Sequence, residues 1–96
     1  MSKAYIIKQK DENKFLIRTT DNTIATEVEN IKNDIDDVIL IDFYNSKISR
    51  KKLLSKIQEV YGVNGTWFNM PTIDVLLFHK NCKKAENLCL LDFAKL

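Results

Sequence analysis

The stretch "NSKISRKKLLSKIQEVYG", residues 45–62, constrains the fold most, because its signals for a helix occur in the required order. Ser49 is a good N-cap, and Ile48 and Leu53 have the spacing of a hydrophobic staple. Gly62 stands where a glycine commonly ends a helix. A stripe of apolar side chains must be buried against a second layer, so the chain is predicted to fold in layers. The stripe consists of Leu53, Leu54, Ile57, Val60 and Tyr61.

The same helix carries cations at its start, although the helix dipole favours anions there. Lys47, Arg50 and Lys51 have the spacing of one helix face, and Lys52 and Lys56 flank that face. One interpretation is a patch that binds phosphate or an acidic protein surface. The other is a solvated face in a chain with 13 lysines and 2 arginines, a usage that fits an AT-rich genome.

Four short segments have the composition of strands. Residues 4–9 and 14–20 are β-branched and aromatic with a polar connection, which predicts a hairpin. Residues 37–44, "DVILIDFY", form a continuous apolar run, which predicts a strand buried on both faces and central in the sheet. Residues 72–80, "TIDVLLFHK", are predicted to form another strand.

Helical periodicity predicts a second helix at about residues 23–33. Its stripe consists of Ile24, Val28, Ile31 and Ile35. Residues 81–87 are interpreted as a turn or a short helix, and residues 88–94 as a strand or a terminal helix.

The predicted fold is a single α+β domain over residues 1–96, with the order β-β-α-β-α-β-β. Two helices pack on a mixed sheet of four to five strands. Residues 38–80 are predicted to form a right-handed βαβ crossover, which requires one parallel pair of strands.

Composition places the chain among soluble globular proteins, with 45% hydrophobic and 29% charged residues. The longest apolar runs have four residues, whereas a membrane helix needs about 20. The first residues do not resemble a signal peptide, and two cysteines are too few for a secreted disulfide framework. We therefore expect a cytoplasmic protein with reduced thiols and no membrane partner.

Side chains with catalytic or metal-binding potential are few. His79, Cys82 and Cys89 lack the paired spacing of four zinc ligands, so no metal site is predicted. Asp42 interrupts the apolar strand, which fits either a site residue or a local cap. A dyad of Cys82 and His79 lacks an orienting acid. Glycine-rich phosphate loops and nucleophile elbows are absent from the sequence, so neither a cofactor nor catalytic residues are predicted and the chain is not expected to be an enzyme.

Trp67 and Phe68 follow an Asn-Gly turn at residues 64–65. Neighbouring residues of a strand point in opposite directions, so one aromatic side chain is a candidate interface anchor. The alternative is that Trp67 plugs one end of the core.

Lys80, Lys83 and Lys84 form a second basic cluster. It would merge with the helix cluster only if the segment after residue 80 lay near the helix start. The net charge of +2 is too small to argue for nucleic-acid binding by itself.

The expected function is that of a small regulatory or inhibitory protein, of the kind that phages or mobile elements encode, which docks on a protein with an acidic surface. The rival expectation is a nucleic-acid-binding accessory protein of weak sequence specificity that uses the basic helix, residues 47–56. A homodimer is compatible with either, and an enzyme using Asp42 or Cys82 is the third hypothesis. The candidate binding residues are Lys47, Arg50, Lys51, Lys52, Lys56, Trp67, Phe68, Lys80, Lys83 and Lys84.

Overall fold

The computed structural model describes residues 2–35 and 37–94, which form one small α+β domain. An antiparallel sheet of three strands has helices on both faces. The elements in chain order are β1 (Ser2–Gln9), β2 (Phe15–Thr20), α1 (Ile24–Asp34), β3 (Val38–Ser46), α2 (Arg50–Tyr61), α3 (Thr72–Leu76) and α4 (Phe78–Ala94).

The sheet has the order β2-β1-β3, with β1 in the centre. Ile6 of β1 pairs with Ile17 of β2 and with Asp42 of β3. The predicted hairpin, β1–β2, is confirmed. The prediction that residues 37–44 form the central strand is wrong, because β3 pairs with β1 alone and leaves three of its apolar side chains exposed. A continuous apolar run indicates burial on two faces only when neighbouring elements cover both of them.

Residues 72–80 are helical, contrary to the predicted strand, and they comprise α3, Leu77 and the start of α4. Within the described residues the predicted fourth and fifth strands, the parallel pair and the βαβ crossover are therefore wrong. The apolar run "VLLF" is too short to distinguish a strand from a helix by itself. The buried residues continue at helical spacing along the chain: Val75, Phe78, Cys82, Ala85 and Cys89.

Two apolar cores lie on opposite faces of the sheet. On one face, Ile6 and Ile17 contact Leu53 and Ile57 of α2 and Phe78 of α4. The second core, under α1, consists of Tyr5, Ile7, Leu16, Ile31 and Val38. Both helices that the periodicity predicted are confirmed: α1 buries Ile31 and α2 buries Leu53 and Ile57, and the other residues of the two stripes are half-buried.

The ends of α2 follow the sequence signals only in part. Gly62 adopts the left-handed conformation, with φ at 68°, and its N–H reaches the carbonyls of Gln58 and Glu59. Ser49 occupies the N-cap position but its side chain makes no capping hydrogen bond. Burial of the apolar stripe, rather than side-chain capping, therefore stabilises the start of this helix.

The side chain of Glu27 links α1 to the sheet by hydrogen bonds. Glu27 accepts hydrogen bonds from the Tyr5 hydroxyl at 2.8 Å, from Thr20 at 3.0 Å and from Asn22 at 3.1 Å. Burial disfavours the ionised carboxylate, but these three hydrogen bonds and the charge of Arg18 outweigh burial, so the pKa of Glu27 is lowered.

Leu53→Ala should lower the free energy of unfolding by about 2–5 kcal/mol, because Leu53 is fully buried and its truncation leaves a cavity. Urea unfolding at equilibrium measures the change. Leu76→Ala is the matched control: its side chain is 74% exposed, and the expected change stays within about 0.5 kcal/mol. Equal losses in the two variants would contradict the assignment of Leu53 to the core.

Glu27→Gln should reduce the loss of stability in acid. The pKa of Glu27 is lower in the folded chain than its ordinary value of 4.5, so the ionised form stabilises the fold above that value. This stabilisation is lost as the pH falls through the folded pKa. Urea unfolding between neutral pH and pH about 3 should therefore show a steeper decline for the wild type than for the variant. Glu29→Gln, which changes an exposed acid on the same helix, should leave the wild-type decline intact.

Candidate docking surface

The outer edge of β3 carries the most unusual surface of the domain. Among the described residues no strand pairs with this edge, which is nine residues long. Ile39, Ile41 and Phe43 stay 36–41% exposed along it. Natural proteins usually shield such edges with charges, prolines or covering segments, because unpaired backbone groups recruit other strands.

A β-bulge divides this edge. Asp42 pairs with Ile6 and Leu40 pairs with Ile7, so Ile41 has no partner on β1. A bulge bends the strand and separates its two halves. The half after the bulge, residues 42–46, is the half that α4 borders.

Helix α4 forms a shoulder beside β3. The Tyr44 ring meets the His79 ring edge to face, with centroids 5.7 Å apart, and the Tyr44 hydroxyl lies 3.4 Å from Glu86. Two adjoining open depressions of about 810 and 370 Å³ share Tyr44. The larger is otherwise lined by Leu77 and residues of α4, and the smaller lies between residues 44–48 and α4. The second depression reaches Ile48 and Leu90. We call this surface, bounded by residues 42–48 and by His79, Lys83, Glu86 and Leu90, the β3–α4 groove.

The carboxylates of the β3–α4 groove have partners within the domain. Asp42 Oδ1 lies 2.9 Å from His79 Nε2 and accepts a hydrogen bond from the Phe43 backbone N–H. Glu86 accepts a hydrogen bond from the buried Ser46 hydroxyl at 2.7 Å. These contacts tie α4 to β3 by polar bonds.

Unlike these carboxylates, the lysines of α4 have no close partner of opposite charge among the described residues. Lys80, Lys83 and Lys84 are exposed, and no carboxylate of the described residues lies within 4.0 Å of their ammonium groups. Lys47 is exposed at the end of the groove. The larger depression of the groove, which Lys80, Lys83 and Lys84 line without an acidic residue, therefore presents positive charge to solvent.

Lys80 of α4 lies far from the start of α2. The Cys89 thiol is 3.7 Å from the Lys52 carbonyl, and Tyr61 lies beside Asn81, so the two helices are antiparallel. Lys80 is therefore displaced from the start of α2 by about 14 Å along the helix axis, since each residue rises about 1.5 Å. Lys56 and Lys84, by contrast, lie at similar heights on the two helices.

The side chains of the α2 cluster have different environments. Lys51 and Lys52 are exposed, and the guanidinium of Arg50 lies 3.9 Å from Asp21. Lys56 is half-buried and pairs with Glu59 at 3.4 Å.

Trp67 and Phe68 lie near β2, at the opposite edge of the sheet from the groove. Phe68 exchanges two backbone hydrogen bonds with Phe15 of β2, at 2.8 and 2.9 Å. Phe68 packs on the α2–α4 core and Trp67 on the α1 core, both half-buried. The structure therefore brings neither aromatic residue together with the lysines of α4.

The two cysteines are buried in the α2–α4 layer. Burial, reinforced by the charges of Asp42 and Glu86, raises the pKa of Cys82 to about 12, so the thiol stays protonated at neutral pH. His79 pairs with Asp42, as described above. No three His, Cys, Asp or Glu side chains of the described residues are arranged to hold a metal ion.

Sequence reasoning missed the residues that build the groove. The exposed edge residues of β3 were assigned to a central strand, and Tyr44 and Glu86 were not singled out. A detectable signal was the row His79, Lys83, Glu86 and Leu90, which has the spacing of one helix face. The row becomes visible once residues 78–94 are assigned to one helix.

Comparisons with known proteins identify no relative of this chain. The chain matches no protein-family model, no curated protein and no solved structure. Among the helices of the described residues, none has the length and apolar character needed to cross a membrane.

Neither native thiol should react quickly with dithionitrobenzoate at neutral pH, because both cysteines are buried and the thiolate is the reactive form. Two thiols should titrate once urea unfolds the chain. Leu76→Cys places a third thiol at an exposed position and should react at once in the native protein. Immediate reaction of a wild-type thiol would contradict the buried placement.

Proposed function

We propose that the protein is a small regulatory or inhibitory protein that acts by docking on another protein. The observation that carries this proposal is the free edge of β3, where Ile39, Ile41 and Phe43 remain exposed. A partner strand that pairs with this edge would receive backbone hydrogen bonds over several residues and would cover the apolar side chains. The edge is thus suited to recognition by strand addition.

Side chains on both faces of β3 would contact such a strand. Phe43 pairs with Tyr5 and therefore lies on the α1 face, whereas Ile39 pairs with Lys8 and lies on the α2–α4 face. Successive residues of an added strand also point to opposite faces, so they would meet Phe43 on one face and Ile39 on the other. We assign the docking contacts to β3 rather than to Trp67 and Phe68, because both aromatic residues contribute to the cores.

The regulatory or inhibitory role rests on the size and the composition of the chain. A domain of 96 residues that reserves one surface for a partner can act by occupying that partner's binding site. Its richness in lysine, isoleucine and asparagine fits the AT-rich hosts of many phages and mobile elements.

The double variant Ile39→Lys/Phe43→Lys tests the proposed edge, because charges on an edge strand oppose strand pairing. Tagged wild-type protein and variants are compared for capture of proteins from an extract of the cells that encode them. Wild type and Ile73→Lys/Leu76→Lys, the control that introduces two lysines at exposed apolar sites, should recover the same protein. The edge variant should recover about tenfold less or lower, which corresponds to about 1.4 kcal/mol.

Undiminished capture by the edge variant would contradict docking through β3. Urea unfolding of all three proteins serves as the folding control. The edge variant keeps the fully buried core residues, so it should unfold cooperatively.

A further inference from the structure

We infer that the β3–α4 groove receives an extended, acidic segment of a partner protein as an added strand. This inference rests on the proposed docking function and specifies the chemistry of the partner. The first argument is the shape of the groove. The contacts of His79 with Asp42, of Glu86 with Ser46 and of Leu90 with the surface near Ile48 follow β3 in order, so α4 runs along the strand.

The bulge at Ile41 defines where the segment lies. The half of the edge after the bulge, residues 42–46, is continuous and borders the α4 row. From the first to the last of these five residues the strand spans about 13 Å, since each residue rises about 3.3 Å. The α4 row from His79 to Leu90 spans about 17 Å at about 1.5 Å per residue, which is at least as long. The helix therefore flanks the full length of an added strand at this half.

Charge selects an acidic occupant. Asp42 and Glu86 do not line the larger depression, whereas Lys80, Lys83 and Lys84 do. Lys83 of the same row has no carboxylate partner among the described residues, and neither has Lys80 beside it. Complementary charges steer association and fix the register of a bound segment. Acidic residues at every second position would meet these lysines on the α4 face.

The other face of the added strand requires apolar residues. Phe43 is exposed on the α1 face, and its ring needs an apolar partner side chain to be covered. The occupant that fits both faces alternates Asp or Glu with Val or Ile.

A second copy of the chain fits the groove less well. Antiparallel pairing of β3 with its own copy, about a twofold axis normal to the sheet, would place both α4 helices on the same face. The lysines of the two helices would then approach each other without acidic partners. Adjacent strands lie about 4.8 Å apart, whereas packed helices need about 8–10 Å, so the two shoulders would also crowd each other.

A displayed library of random linear peptides of about twelve residues tests the inference, because a five-residue added strand with its flanks fits within that length. Selection on the wild-type protein at low salt should enrich peptides that alternate acidic with β-branched residues. The best peptide, synthesised and labelled, is then titrated against variants by fluorescence anisotropy. Lys80→Glu/Lys83→Glu should weaken its binding about tenfold or more, and added salt should weaken it as well.

The matched control is Lys10→Glu/Lys32→Glu, which makes the same change in net charge at exposed positions away from the groove. It should bind the peptide within about twofold of the wild type. Methylation of every second backbone nitrogen of the peptide should abolish binding if the peptide adds as a strand, because the methyl group removes the donors.

The outcomes separate this inference from the proposed function. Binding that depends on Ile39 and Phe43 but not on the lysines overturns the acidic occupant and leaves edge docking standing. Binding indifferent to both sets of residues, or a selection without acidic enrichment, overturns the inference. Sedimentation as a dimer that Phe43→Lys dissociates overturns it in favour of a second copy. Displacement of the peptide by single-stranded DNA, dependent on the same lysines, overturns it in favour of nucleic acid.

Discussion

The burial of β1 on both faces is the constraint on which the rest of the structure depends. Ala4 and Ile6 point to one core and Tyr5 and Ile7 to the other, and none of the four is more than 2% exposed. A strand with two apolar faces requires a neighbour on each side and a layer over each face. The hairpin supplies β2, so β3 has to occupy the remaining side. The helices divide accordingly, with α1 on one face and the other three on the opposite face.

The position of β3 as an edge follows from this arrangement, and so does its exposure. Helix α4 reaches β3 through polar contacts, from His79 to Asp42 and from Ser46 to Glu86. These contacts hold the shoulder in place without covering the backbone groups of the outer edge. Neither bonded carboxylate lines the larger depression, whereas Lys80, Lys83 and Lys84 do, so these lysines set the charge that a partner would meet there.

Local signals in the sequence predicted the elements whose pairing or packing is local. The hairpin and both stripe helices were recognised because neighbouring residues carry the necessary pattern. Strand order could not be predicted in the same way. The apolar run "DVILIDFY", residues 37–44, does not indicate whether its strand lies at the centre of a sheet or at its edge. The prediction of a strand at residues 72–80 is wrong because the short apolar run of this segment fits a strand and a helix equally well. The decisive residues, Cys82, Ala85 and Cys89, lie beyond that segment. The groove depends on contacts between β3 and α4 that only the folded chain brings together.

The cations at the start of α2 illustrate why a local electrostatic argument fails in a packed domain. Considered alone, Arg50 and Lys51 oppose the helix dipole at a cost of some tenths of a kcal/mol each. Because α2 and α4 are antiparallel, the start of α2 lies beside the C-terminal part of α4, whose partial charge is negative. The neighbouring helix therefore offsets the local cost, and these cations need no external anion to explain them. Lys83 belongs to the row that borders β3, away from α2, so this compensation does not extend to it. The lysines of α4 are therefore the cations that the proposed acidic partner would contact.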